Sequence, residues 1–351
     1  MTLRVIIYRL GVIPLLLLLC ILAACSQQDL DQEEQGMVSL KVLASPGTRT
    51  GEGGTATATL PDKETDIFDL SIFIFNSNGD VIGFTSQDFS DGKPTAVVVK
   101  TRKATGCSVY AVANAKTLNN GTSPFDGVST LSVFQAKYLS FTDANAPDNA
   151  NCLLMMGVSS GFDTSSASSA SPATITLKRL ASRIDYTIAV NNDNATGFPI
   201  VVDSYQLRNV PTSTLFLQSD FTSPSMPSSK TFADFDKVST PIPSVAAPTS
   251  AGTYYVYAND GTSKETYLDI QAHSEVQGTG TKYTVWKSNF QVKMPDGKVK
   301  SNYHYKIDIV INGSVTGKNG GVITTYNAYP YFSGSTLNPW GTNENRNLDL
   351  Q

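Results

Sequence analysis

Apolar and polar positions alternate with a period of two in segment after segment of this chain, the pattern of strands with one buried face. Val38, Leu40 and Val42 alternate with Ser39 and Lys41. Ile67 to Phe75 is a denser apolar run that ends at the turn residues Asn76-Ser77-Asn78-Gly79-Asp80, and Val81 to Phe84 returns from it as a hairpin partner. Thr95–Lys100, Ser108–Ala113 and the short apolar stretch Cys152–Gly157 predict further strands, and Thr130–Lys137 predicts a short helix. From Thr174 to Val190 the alternation is almost continuous, through Ile175, Leu177, Ile184, Tyr186, Ile188 and Val190.

The second half repeats this texture. Val201–Leu207, Thr214–Leu217, Thr253–Ala258, Tyr267–His273, Tyr283–Lys287, Tyr303–Asn312 and Val322–Tyr331 read as strands. Ser223–Ser250, with its prolines, reads as a long irregular connection, and Asp163–Ala173, rich in Ser and Ala, as a mobile surface loop. Many short strands without alternating helices predict an all-β chain of β-sandwich domains rather than a parallel βαβ fold. The chain is long enough for two such domains, and the junction is expected near Lys178-Arg179.

The first residues break the pattern. Arg4 and Arg9 precede an apolar run from Leu10 to Ala24, the length of a signal-peptide core rather than of a membrane span. The run ends Leu22-Ala23-Ala24-Cys25, which resembles the bacterial lipobox, in which the cysteine is diacylated and the bond before it is cut. An ordinary signal peptide ending by chance at a cysteine is the competing reading. Two acyl chains anchor stably where one does not. The acidic, polar stretch Ser26 to Glu34 then reads as an extended tether.

Composition narrows the function. The net charge is -4 and charged residues make up 16% of the chain, with no basic patch to suggest nucleic acid. The two histidines, His273 and His304, lie in alternating segments without a ligand cluster and read as strand-surface residues. Asp143 and Asp148 flank a proline-containing loop and read as solvated turn carboxylates. Asn191-Asn192-Asp193-Asn194 lacks the spacing of a calcium loop. There is no nucleophile elbow, phosphate loop or zinc spacing, so neither an enzyme, a metal site nor a cofactor is expected. With Cys20 in the leader and Cys25 lipidated, Cys107 and Cys152 remain, either as a disulfide suited to an exported protein or as two buried thiols.

An ordered set of segments resembles the Bacteroidales fimbrillin family, the lipoprotein-derived pilins of type V pili. It comprises the lipobox Cys25, the strand and turn Ile67 to Gly79, Tyr110-Ala111-Val112-Ala113-Asn114-Ala115, Leu154-Met155-Met156-Gly157, Leu177 to Ile184, Tyr255-Val256-Tyr257-Ala258-Asn259 and Ser301 to Ile307. Leu154, Ala258 and Ser301 stand where the family commonly has proline, glutamate and arginine.

The resemblance implies two tandem transthyretin-like β-sandwich domains, an arginine-specific protease that removes the first strand, and assembly by strand exchange with other copies and accessory fimbrial subunits. On this chain it implies a signal peptide at 1–24, a lipidated tether with a removable strand at 25–49, domains at 50–178 and 179–351, and cleavage between Arg49 and Thr50 in a flexible Gly/Thr-rich stretch. The donor strand would come from Tyr326–Phe332, Leu337–Trp340 or the tail with Leu348 and Leu350; alternatively Val322–Phe332 is simply the last strand. The function so implied is a structural pilin, first held at the outer membrane by its lipid and then part of a surface fimbrium supporting adhesion or biofilm. The alternatives are a non-polymeric surface lipoprotein that binds glycans, through aromatics such as Tyr329, Tyr331 and Trp340, or a fimbrial tip or anchor subunit. The surface receptor is not specified by the sequence.

Overall fold

A computed structural model describes residues 35–44, 62–92, 94, 96–164, 173–191, 200–218, 221, 223–242, 248–277, 282–312, 322–330 and 346–348. The expected all-β class is borne out. In the first half the strands are β1 (Gln35–Ala44), β2 (Asp69–Phe75), β3 (Val81–Asp88), β4 (Val97–Arg102), β5 (Cys107–Ala113), β6 (Tyr138–Ser140), β7 (Met155–Phe162) and β8 (Ala173–Arg179). Seven of them close into a barrel in the order β1-β4-β3-β2-β5-β7-β8. The hydrogen bonding thus runs all the way round, where two separate sheets were expected of a sandwich, because β1 bonds to a strand on each side.

The barrel interior holds Val38, Leu40, Leu70, Ile72, Ile74, Val97, Val99, Ala111, Ile175 and Leu177, the inward positions of the alternation. β2 is buried on both faces, which is why its sequence is a nearly continuous apolar run. Its outward Phe73 and Phe75 join Tyr110, Val112 and Met156 in a second core on the barrel's outer wall. Three short helices, α1 (Ala115–Leu118), α2 (Leu131–Gln135) and α3 (Ala146–Asn149), lie in the long excursion between β5 and β7. Phe134 of α2 covers that wall, and Thr130 caps the helix by accepting a hydrogen bond from the Val133 amide at 3.3 Å.

At Leu180 the chain leaves the barrel and enters β9 (Ala181–Asn191). Then follow β10 (Ile200–Arg208), β11 (Val210–Pro211), β12 (Ser213–Leu215), β13 (Phe232–Ala233), β14 (Thr249–Tyr257), β15 (Tyr267–Gln277), β16 (Lys282–Lys293), β17 (Tyr303–Asn312), β18 (Val322–Pro330) and β19 (Arg346–Leu348). A five-stranded sheet in the order β14-β9-β17-β18-β19 and a three-stranded sheet in the order β10-β15-β16 enclose the largest core. Ile184, Tyr186, Ile188 and Val190 of β9 and Tyr305, Ile307, Ile309 and Ile311 of β17 face Leu207, Leu268, Ile270 and Phe290 across it. The two halves are also joined directly: β12 pairs with β6, and Phe216, Tyr255 and Tyr257 pack into the core on the barrel's outer wall. A shared apolar core of this kind resists relative motion of the parts it joins.

Candidate assembly groove and the joint beside it

β1 is the strand that closes the barrel. It pairs antiparallel with β4 from Gln35↔Arg102 to Leu40↔Val97, and parallel with β8 from Leu40↔Ala173 to Ala44↔Leu177. Val38 and Leu40 are fully buried, while Lys41 is exposed. Together the two apolar side chains contribute about 3–6 kcal/mol of burial. Their neighbours on the groove floor are Val97 and Val99 of β4 and Ile175 and Leu177 of β8, all buried. On the other edge of β4, β3 and β4 meet at a single pair, Gly83↔Thr101. A Cβ on Gly83 would lie 2.8 Å from the Cβ of Thr101, so only glycine lets the strands approach there.

The edges of β4 and β8 are therefore satisfied by β1 alone along this stretch of the barrel seam. A strand that left would uncover two rows of backbone donors and acceptors and an apolar floor, and unpaired edges of this sort recruit another strand. Cys25, Arg49 and Thr50, the residues expected to carry lipid and cleavage site, lie outside the described residues, as do Tyr331 and Trp340. β18 is paired along its length with β17, and β19 pairs antiparallel with β18. Val322–Pro330 is thus built into the second half as a strand, which agrees with the simpler of the two readings of that segment.

The disulfide reading of Cys107 and Cys152 is corrected: both thiols are free and buried. Cys107 begins β5 opposite Phe162, whereas Cys152 precedes β7, which starts opposite Ala113 at the far end of β5. The separation along the strand is about 20 Å, while a disulfide needs Cα atoms within about 7 Å. Burial, with the nearby Asp69 and Asp66, pushes the Cys152 thiol up to about 12, so it stays protonated and unreactive. Among the described residues no cluster of three His, Cys, Asp or Glu side chains converges as a metal site would require.

Between the halves lies a buried polar network that the sequence did not announce. Glu64, in a 3-10 turn at Asp62–Glu64, is fully buried, and its Oε1 accepts hydrogen bonds from the Tyr255 hydroxyl at 2.6 Å and from Arg183 Nη1 at 3.4 Å. Arg179, 1% exposed, donates from Nε to the Glu64 carbonyl at 2.7 Å, and its amide donates to Asn302 Oδ1 at 3.1 Å. Asp185 accepts from Arg183 Nε at 2.9 Å and from Thr253 at 2.7 Å, and its other oxygen lies 2.6 Å from His304 Nε2. Burial alone would raise the Asp185 pKa, but the hydrogen bonds from His304, Arg183 and Thr253 outweigh it and hold the carboxyl well below its usual range.

Two expectations change here. His304 is a buried joint residue rather than a strand-surface one, because the β17 position it occupies is covered by the rest of the network. His273 is only partly covered, and its Nδ1 lies 2.6 Å from Asp203. Asp143 is the exposed turn residue expected, accepting from the Asn145 amide at 2.9 Å. Asp148 is not: its Oδ1 accepts from the Tyr255 amide at 2.9 Å, and burial lifts its pKa from 3.8 to about 6. Lys63 donates to the Asp148 carbonyl at 2.9 Å and lies 4.0 Å over the Tyr255 ring. Asn114, within the Tyr110–Ala115 segment, takes a left-handed conformation at φ 67°. Its side chain ties together Phe68 N, Asp66 O and Leu153 O, which gives that segment its structural reason.

The geometry defines an all-β chain whose barrel is closed by its first strand and keyed to a second half of two packed sheets. The expected likeness to fimbrillins is borne out: residues 37–196, from β1 through β9, match the family of the major fimbrial subunit protein (FimA). No curated protein matches the chain. Among solved structures, a candidate cell adhesion protein from Bacteroides eggerthii is 18% identical with a TM-score of 0.58, covering 85% of this chain and 96% of its own. A fimbrilin from Porphyromonas gingivalis is 13% identical with a TM-score of 0.56, covering 86% and 98%. The tip fimbrial protein Mfa3 of the same organism, with a C-terminal truncation, is 12% identical with a TM-score of 0.51, covering 85% and 100%. At these identities the likeness is one of fold.

Proposed function

We propose that the protein is a structural subunit of cell-surface fimbriae that supports adhesion, assembled by exchange of the strand that closes its barrel. It is exported through its signal peptide, lipidated on Cys25 and held at the outer membrane as a precursor. An arginine-specific protease cuts between Arg49 and Thr50, and the segment 25–49 leaves with β1. The mature subunit then consists of domains at 50–178 and 179–351, and a strand from the C-terminal region of another copy, or of an accessory subunit, fills the groove. It performs no catalysis.

The observation that supports this reading most is the position of β1. It is the one strand of the barrel that lies before Arg49, and it is bonded on both edges to strands that lie after it. Cutting at Arg49 therefore severs the covalent link of β1 while leaving every other barrel strand on one continuous chain. Because β18 lies inside the sheet, between β17 and the three-residue edge strand β19, the donor is assigned to the residues beyond Pro330.

The Arg49→Ala variant tests the reading. It should remain a lipidated monomer and give none of the detergent-resistant, heat-sensitive ladders expected of strand-exchanged polymer on gels. Unchanged ladders from that variant would remove the cleavage step.

A further inference from the structure

The outer wall of the barrel carries a half-open cleft that neither the groove nor the joint uses. It encloses about 410 Å³, at the lower end of the range of small-molecule sites. Its floor is formed by β5, β7 and β8, its sides by α2 and the segment after β12. Gly157 makes the floor compact: a Cβ there would lie 2.6 Å from the Thr176 carbonyl oxygen, so only glycine lets β7 lie against β8 beneath the cleft.

The lining is of two kinds. Val158, Leu217 and Phe221 supply an apolar surface over the buried Met156, with Val158 42% exposed at the rim. Thr176, Gln135 and Lys178 supply hydroxyl, amide and ammonium groups. Gln218 has both ends of its amide engaged by Ser225, at 2.9 and 3.1 Å, so it fixes the wall rather than offering a free group. Lys178 Nζ sits 4.9 Å from the centre of the Phe221 ring, and none of the described lining residues is acidic. A cation held against an aromatic face, with donors left over and no carboxylate among the described lining residues, favours an anionic ligand.

We infer that this cleft binds a saccharide unit bearing a carboxylate. The apolar surface of Val158, Leu217 and Phe221 takes the C–H face of the ring, Gln135 and Thr176 take its hydroxyls, and Lys178 takes the acid. The mixed lining argues against a lipid or an apolar peptide side chain, which would leave the amide and ammonium groups facing hydrocarbon. The cleft lies outside the barrel, so the inference stands whether or not the chain polymerises, and a monomer that never exchanges strands keeps the site.

The test uses the lipidated precursor carrying Arg49→Ala, purified in detergent so that polymerisation plays no part, with sialyllactose and a galacturonic acid disaccharide as probes and lactose as the neutral control. Saturation-transfer NMR and titration should show binding of at least one acidic probe, with lactose at least tenfold weaker. Lys178→Gln should weaken the acidic probe by about tenfold or more, and Thr176→Val by less, both with unchanged melting temperatures. Absence of binding by both acidic probes, equal binding of lactose, or full affinity in Lys178→Gln would each overturn the assignment.

Discussion

β1 and β9 occupy the same place in the two halves of the molecule. Each is the first strand of its half, and each lies between an antiparallel and a parallel neighbour: β4 and β8 for β1, β14 and β17 for β9. Each buries a row of apolar side chains in its core. The difference is in how they are attached. β9 follows β8 directly through Leu180, and its Arg183 and Asp185 are tied into the joint. β1 is separated from the 3-10 turn at Asp62–Glu64 by residues 45–61, which include Arg49. Under the proposed cleavage at Arg49 the same strand position is permanent in one half and severable in the other, and chain connectivity rather than pairing geometry decides which.

The largest effect should come from removing the donor. Deleting Trp340 to Gln351 should abolish ladders on gels while leaving the monomer folded, because the long strands of both cores remain. Normal ladders would rule out that tail as donor and shift the assignment to the segment between Pro330 and Trp340.

Substitutions in the two equivalent strands sharpen the comparison further. Leu40→Ala should destabilise the precursor by about 2–5 kcal/mol in urea unfolding and leave a subunit beginning at Thr50 untouched. Ile184→Ala in β9 should cost a similar amount in both forms. An equal loss of stability in the polymerised subunit recovered from the Leu40→Ala variant would mean that β1 is retained there, and would break the distinction. Glu64→Ala should cost about 3 kcal/mol in either form, at the low end of the range for a buried partner because Arg183 retains 22% side-chain exposure.

The smallest effect concerns Asp148. Its folded pKa of about 6 lies above the ordinary 3.8, so the folded state holds the proton more tightly than the unfolded one. Stability from this group is fully present below about pH 4, falls as pH rises from about 4 to 6, and is then constant. Asp148→Asn keeps an acceptor for the Tyr255 amide. It should therefore raise the melting temperature slightly at pH 7 and have little effect at pH 4; a lower melting temperature at pH 7 would contradict the sign.

Much of the strand plan was legible because strands with one buried face write a period of two into the chain. β4, β5, β10, β15 and β17 fall where alternation put them, and the continuous run of β2 reflects burial on both faces. The sequence put the domain junction near Lys178-Arg179, and the chain changes sheet at Leu180, although the alternation from Thr174 to Val190 runs on through the change, since a strand that passes from one sheet to another keeps its period. The joint was not legible: Glu64, Arg183, Asp185 and His304 lie in separate segments, and a charged residue in a strand looks the same whether it meets solvent or a buried partner. The sequence left Cys107 and Cys152 open between a disulfide and two buried thiols, and the structure shows the thiols. An even pair in an exported chain says nothing of distance, and β5 holds the two thiols at opposite ends. The groove was legible only as a resemblance; that β1 pairs on both edges required the fold.

The central claim is that β1 is present in the precursor and absent from the assembled subunit. Mass spectrometry and N-terminal sequencing of polymer shed from the cell surface test it directly. The account predicts subunits that begin at Thr50 and lack residues 25–49. Subunits within the polymer that begin at a lipidated Cys25 and still carry Val38 and Leu40 would contradict it.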